Sequence, residues 1–173
     1  MKHTISLLVE NKPGVLSRVA GLFSGRGFNI ESLSVAETID PKISRMTILT
    51  TGNDQILEQI SKQLNKLINV IKVVDFKSNE YVGRELALIK VSVNEGTRSE
   101  VLSIVDVFRG KVVDVSAESY TVEITGDKNK IEAIIDLFRP LGIKEIARTG
   151  SAALIRGSKA KASKGKKTNN SKK

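Results

Sequence analysis

Glu10-Asn11-Lys12-Pro13-Gly14-Val15-Leu16-Ser17-Arg18 is the point where one periodicity gives way to another. Upstream, residues 4–9 alternate, with Ile5, Leu7 and Val9 on one side, which is the period of a half-buried strand. Downstream, Val15, Val19, Leu22 and Phe23 recur at helical spacing over residues 15–26, and Gly25 and Gly27 end the run. Between them the chain turns through Pro13 and Gly14. A helix that starts directly after such a turn presents free backbone N–H groups, which bind anions such as a carboxylate. Gly14 lets a ligand approach the backbone closely. Asn11 offers an acceptor and a donor, and Val15 and Leu16 are suited to line an aliphatic pocket. On spacing alone, a Pro-Gly between strand and helix is also an ordinary turn.

The same order of elements continues outward. Strand-like segments at 30–38 and 43–51 flank the turn Ile39-Asp40-Pro41. A helix over 54–68 carries Ile56, Ile60, Leu64 and Leu67, with Asn53 or Asp54 as its cap. A strand at 69–76 closes the unit, and the order is βαββαβ. A second copy follows. Residues 86–93 read as a strand and 97–109 as a helix, with Val101, Ile104, Val105 and Phe108 aligned. Strands at 111–116 and 119–125 precede a helix at 128–139, with Ile131, Ile134, Ile135 and Phe138 inward. Pro140 and Gly142 stop that helix, and 143–155 is extended with a break near Gly150. The predicted class is α+β: two ferredoxin-like domains, each an antiparallel sheet with both helices on one face. The boundaries fall at 1–77, a linker at 78–83, a second domain at 84–157 and a lysine-rich tail at 158–173.

Units of about 75 residues have small cores. Leu7 beside Leu8, Val73 beside Val74 and Leu88 beside Ile89 put apolar groups on both faces of their strands. A second subunit is the expected cover, making a homodimer or larger assembly.

The net charge of +9 suggests nucleic acid until it is located. Seven lysines and no acid lie in 158–173, so the remainder is within about two charges of neutral. That tail has almost nothing to bury and is expected to be a disordered, solubilising end. With no cysteine and one histidine, His3, the chain has no disulfide framework and no multi-histidine metal cage. His3 reads as a surface residue. No apolar run reaches the ~18 residues of a membrane span, and the start lacks the pattern of a signal peptide, so a cytoplasmic protein is expected.

No catalytic constellation is visible. Asp54 and Glu58, or Asp114 and Glu118, are spaced as acids on solvated faces commonly are, and Ser17 and Ser34 have no histidine to activate them. Arg45 reads equally as a contact for a partner or as a solvated strand residue. The glycines match neither phosphate-loop spacing. RNA-recognition modules share the βαββαβ order but stack bases on aromatics of their central strands. Here 43–51 and 119–125 contain a single aromatic, Tyr120.

The junction Asn11-Lys12-Pro13-Gly14-Val15-Leu16 resembles the ACT domain, a small-ligand sensor module. Arg26-Gly27-Phe28-Asn29-Ile30-Glu31-Ser32-Leu33, with Leu16-Ser17-Arg18-Val19 and Ser44-Arg45-Met46-Thr47-Ile48, resembles the acetolactate synthase small subunit. So do Leu57-Glu58-Gln59-Ile60, Lys62-Gln63-Leu64, Arg84-Glu85-Leu86-Ala87-Leu88-Ile89-Lys90-Val91 and Phe108-Arg109-Gly110-Lys111. The resemblance spans residues 2–157 and excludes the tail. The Arg84–Val91 string separates this family from ACT sensors of other pathways.

The resemblance implies a non-catalytic regulatory subunit. Two N-terminal domains pair and bind valine between them, on Asn11, Pro13, Gly14, Val15 and Leu16 of one subunit and Asn29 and Ile30 of the facing one. Ala36 lies near the same interface. The implied partner is a large catalytic subunit holding thiamine diphosphate, Mg²⁺ and FAD, none of which this chain would bind.

Overall fold

The computed structural model describes residues 2–76 and 81–157. The lysine-rich tail and residues 78–80 of the expected linker lie outside the described residues.

The first domain runs β1 (Lys2–Glu10), α1 (Val15–Ser24), β2 (Ile30–Glu37), β3 (Ile43–Thr51), α2 (Asp54–Leu64) and β4 (Val70–Phe76). Its antiparallel sheet has the order β2-β3-β1-β4. The second runs β5 (Tyr81–Ser92), α3 (Arg98–Val107), β6 (Lys111–Val115), β7 (Ser119–Gly126), α4 (Lys128–Phe138), β8 (Ile143–Arg148) and β9 (Ala152–Ile155). Its order, β6-β7-β5-β8, repeats the first, with β9 added to the start of β5. The expected pair of ferredoxin-like units is what the chain forms.

Alternation explains the layers. Ile5, Leu7 and Val9 of β1 are fully buried and join Met46 and Ile48 of β3 under Val15, Val19, Leu22 and Phe23 of α1 and Leu57, Ile60 and Leu64 of α2. Thr4, Ser6 and Leu8 alternate to the opposite face, which carries no helix. The second core repeats the pattern, with Ala87, Ile89 and Val91 packed under Val101 and Val105 of α3 and Ile131, Ile134, Ile135 and Phe138 of α4. Asn53 caps α2 through its Oδ1, which accepts the Ile56 N–H at 2.9 Å, and Asp127 caps α4 by accepting the Lys130 N–H at 2.9 Å.

Several local expectations change. The α2 stripe is Leu57, Ile60 and Leu64; Ile56 and Leu67 only pack at its margin. The helix ends at Leu64, four residues short of the predicted 68, because Asn65 caps it and Leu67 to Asn69 turn into β4. β5 begins at Tyr81 instead of Leu86, so residues 81–83 of the expected linker are strand. Their partner is β9, in register Tyr81 to Ile155 and Arg84 to Ala152. Tyr81 also stacks on Phe76 with ring centroids 4.9 Å apart. His3 is half-buried, not fully exposed, with Nε2 3.2 Å from the Gly52 carbonyl. Among the described residues no helix is long and apolar enough to cross a membrane.

Phe138 has no accessible surface, whereas Leu154 is 59% exposed. Phe138→Ala is expected to cost about 3–5 kcal/mol through lost burial and the cavity left behind. Leu154→Ala should stay within about 0.5 kcal/mol, and urea unfolding followed by circular dichroism compares the two.

Candidate functional site

Gly14 occupies the N-cap of α1 at φ 81°, ψ −6°, a left-handed conformation that glycine adopts without penalty. No side chain caps this helix. Val15 N–H makes a long bond, 3.3 Å, to the Lys12 carbonyl, and the first regular helical bond is Arg18 N–H to Gly14 O at 3.0 Å. The intervening amides of Leu16 and Ser17 have no acceptor among the described residues. The helix start therefore keeps two donors and the positive end of its dipole open to the surface.

Two other helix starts carry side-chain caps. Asn53 occupies the Ile56 N–H of α2 and Asp127 the Lys130 N–H of α4. Asn94 stands in the second domain where Asn11 stands in the first, after the central strand. There its Oδ1 accepts from both Gly96 N–H (2.9 Å) and Thr97 N–H (3.0 Å). In the second copy the asparagine side chain is consumed by its own loop. Ser99 and Glu100 N–H at the α3 start, like Leu16 and Ser17 N–H, have no acceptor among the described residues. The first copy differs in Gly14 at the cap and in the free Oδ1 of Asn11.

Asn11 is held differently. Its N–H donates to Lys42 O at 2.7 Å and its Nδ2 to Pro41 O at 2.8 Å. Those bonds fix the side chain and leave Oδ1 as the unused acceptor, which suits an ammonium group. The expected aliphatic lining divides in two. Val15 is 3% exposed and belongs to the core, so its side chain is not available to a ligand. Leu16 is 41% exposed and is available. Pro13 and Gly14 are exposed at the turn.

Glu10 braces the loop, a role the sequence reading missed. Its carboxylate accepts from Asn69 Nδ2 and pairs with Lys12 at 3.1 Å, while Arg18 of α1 donates to Asn69 Oδ1 at 2.6 Å. Asn69 lies 59 residues from Glu10 in sequence, and only the β1–β4 pairing brings the two together. The Asn69 hydrogen bond, and then the Lys12 charge, hold the Glu10 carboxyl below its ordinary value of 4.5.

Asn29 and Ile30 are not beside this loop in one chain. Asn11 lies at the Ile43 end of β3, while the Asn29 carbonyl accepts the Thr50 hydroxyl at 2.7 Å and Ile30 pairs with Thr50 at the other end. The strand between them separates the two groups by about 25 Å at its usual rise. Asn29 is exposed, Ile30 is half-buried against the core, and Ala36 is exposed opposite Arg45. Arg45 itself lies on the helix-free face and donates to Ser6 Oγ at 3.1 Å. β2, which carries Ile30 and Ala36 and follows Asn29, is an edge strand with an unpaired outer side among the described residues.

Tyr120 pairs with Val91 and packs toward the helix-side core, so it offers no base-stacking platform on the open face. Among the described residues no group of three or more His, Asp or Glu could hold a metal ion.

Two βαββαβ modules in tandem, the first with a glycine-capped open helix start after its first strand, define an ACT-type arrangement. Comparison with known proteins gives the particular family. Residues 5–72 match the AHAS small subunit-like ACT domain, and residues 84–157 match the family described as the small subunit of acetolactate synthase. A probable acetolactate synthase small subunit of Methanothermobacter thermautotrophicus is 56% identical over 158 residues, covering 91% of this chain and 94% of that protein. The acetolactate synthase small subunit of Mycobacterium bovis is 57% identical over 155 residues, covering 90% and 92%. The crystal structure of the acetolactate synthase small subunit from Thermotoga maritima superposes with a TM-score of 0.84 at 46% identity, covering 91% of this chain and 99% of that one. This chain belongs to the acetolactate synthase small-subunit family. Its role is regulatory, and membership implies a catalytic large-subunit partner.

Loss of the Asn69 bond should be visible at Glu10. In wild-type protein, NMR titration of the Glu10 carboxyl should give a midpoint below 4.5. Asn69→Ala should move it upward toward that value. Because the folded-state value is depressed, the brace is fully present above the unfolded value and is lost as pH falls through the folded one.

Proposed function

We propose that this chain raises the activity of an acetolactate synthase large subunit and makes it respond to valine bound at the β1–α1 turn. The single observation that carries this reading is the open start of α1: free amides at Leu16 and Ser17, Gly14 in the left-handed region, and a braced Asn11 with an unused acceptor. A free amino acid is a zwitterion. Its carboxylate suits the helix-start amides, its ammonium suits Asn11 Oδ1, and a branched aliphatic side chain suits exposed Leu16.

One chain supplies half of such a site. A two-fold axis through the middle of β2 would pair two edge strands antiparallel and continue the sheet across two subunits. That operation brings the Asn29–Ile30 end of one subunit against the Asn11–Leu16 end of the other. The exposure of Leu16 (41%) and Val35 (43%) is consistent with a covered edge. Ile30 would then meet the isopropyl group, and Asn29, whose side chain is unbonded among the described residues, would meet a polar end.

In this reading the chemistry belongs to the partner, which holds thiamine diphosphate, Mg²⁺ and FAD. It condenses pyruvate with pyruvate or 2-oxobutyrate in cytoplasmic branched-chain amino-acid synthesis. Valine regulates by binding the inhibited arrangement of the complex better than the active one. The ligand's differential affinity, typically ~1–3 kcal/mol, sets the size of the effect.

The test is co-purification with the large subunit, then calorimetry and activity with valine. Saturable binding at micromolar to millimolar concentration, about 4–8 kcal/mol, is expected together with reduced activity. Absence of saturable heat from the protein alone and from the complex would remove the site.

Gly14→Asp should raise the valine concentration for half-inhibition about tenfold or more, some 1.4 kcal/mol, by placing an anion against the ligand carboxylate. Open space surrounds a side chain at this position, so crowding of neighbours does not obscure the result. Gly14→Asn imposes the same backbone demand without the charge. Its half-inhibition concentration should therefore move less.

A further inference from the structure

The strand that begins at Ile30, just after Asn29, is also the strand that the second domain touches. A cleft of about 720 Å³ separates the domains and is lined by residues of both. Immediately after Ile30, Glu31 pairs with Lys2 at 2.8 Å and accepts the Thr51 hydroxyl. Lys128, the first residue of α4, faces the same Lys2 ammonium across the cleft. That contact, followed by partial burial, pushes the Lys128 ammonium below its ordinary range. Among the described residues Lys128 has no acid within 4 Å, and Glu31 draws its ammonium only through the longer-range charge across the cleft.

The next residues of β2 meet the second domain sterically. Gly150, between β8 and β9, has φ +74°, and a Cβ built on it would lie 2.5 Å from Ser32 Oγ and 3.4 Å from Leu33 O. The chain passes so close to β2 there that only glycine fits without displacement. Behind these contacts the second domain is internally tied. Arg148, two residues before Gly150, bonds the buried Glu85 of β5 and, at 2.8 Å, Glu132 of α4. Glu132 is one turn from Lys128 on the same helix. A shift of β2 at Glu31 or Ser32 therefore reaches both α4 and the β8–β9 turn.

Exposed ion pairs such as Lys2–Glu31 add little stability. The Lys2–Glu31 pair lies within the first domain and sets the charge that Lys128 faces across the cleft, while the Gly150 turn meets the same strand sterically.

We infer that the second domain reads the effector state of the first through β2, meeting it at Ser32 and Leu33 and facing the charge of Glu31 just beyond Asn29 and Ile30. This rests on the valine-site reading above. It assigns a regulatory surface to the inner faces of the cleft: Lys128 and Glu132 of α4 and the Gly150 turn on one side, Glu31–Leu33 on the other. Two interactions of different kinds carry the signal, the charge that Glu31 presents to Lys128 across the cleft and the close approach of Gly150 to Ser32, so they can be removed separately.

The test is hydrogen exchange on the full chain with and without saturating valine. Wild type should show slower exchange at residues 11–17 and 29–30, and also, by about fivefold or more, at 127–132 and 148–151. Glu31→Ala removes the charge facing Lys128 at an exposed position, and Gly150→Ala forces the approach to Ser32 to shift. In either variant the response at 127–132 and 148–151 should fall below about twofold while that at 11–17 persists. Loss in either variant supports the contact it removes. Full retention in both would overturn the inference, as would wild type that responds at 11–17 and not in the second domain. No response at 11–17 in wild type would remove the valine site itself, and this inference with it.

Discussion

Ile5, Leu7 and Val9 have no accessible surface, and everything in the first domain is arranged to keep them so. A central strand buried on one face needs neighbours on both edges for its backbone and a layer above it for its side chains. β3 and β4 supply the edges, and α1 and α2 supply the layer. This constraint places the β1–α1 turn. The chain must leave the sheet at Glu10 and return over it within four residues, which Gly14 permits by taking φ +81°. The open helix start follows from that geometry. Val15 is already in the core, so the first turn of α1 cannot be displaced outward to find other acceptors.

Duplication of the same constraint in the second domain shows what is optional. Ala87, Ile89 and Val91 are buried as completely as their counterparts, and the loop after them makes the same reversal. Asn94 closes that loop on itself with two hydrogen bonds, whereas Asn11 turns outward to Pro41 and Lys42. The fold needs the reversal and is indifferent to how the loop asparagine is used. One copy spends that side chain on its own loop and the other leaves its acceptor free.

Periodicity made most elements legible. Every strand and helix of the βαββαβ order appears where alternation or helical spacing placed it, because burial on one face imposes that spacing directly. The misses share a cause. Tyr81–Gly83 read as linker because their partner, β9, is some seventy residues away. Leu57 was overlooked beside Ile56 because a helical stripe tolerates a shift of one position, and only the packed layer decides which residue points inward. Glu10 carried no local signal, since its partner Asn69 arrives through strand pairing.

The sequence alone determined the repeat, the class of fold, the glycine turn and the family, since each is written in consecutive residues. Tertiary structure decided that Val15 serves the core while Leu16 stays outside. It also placed Asn29 and Asn11 at opposite ends of one sheet, and brought Gly150 against Ser32. These outcomes depend on strand order and register between distant segments, and nothing in the local spacing of side chains encodes either.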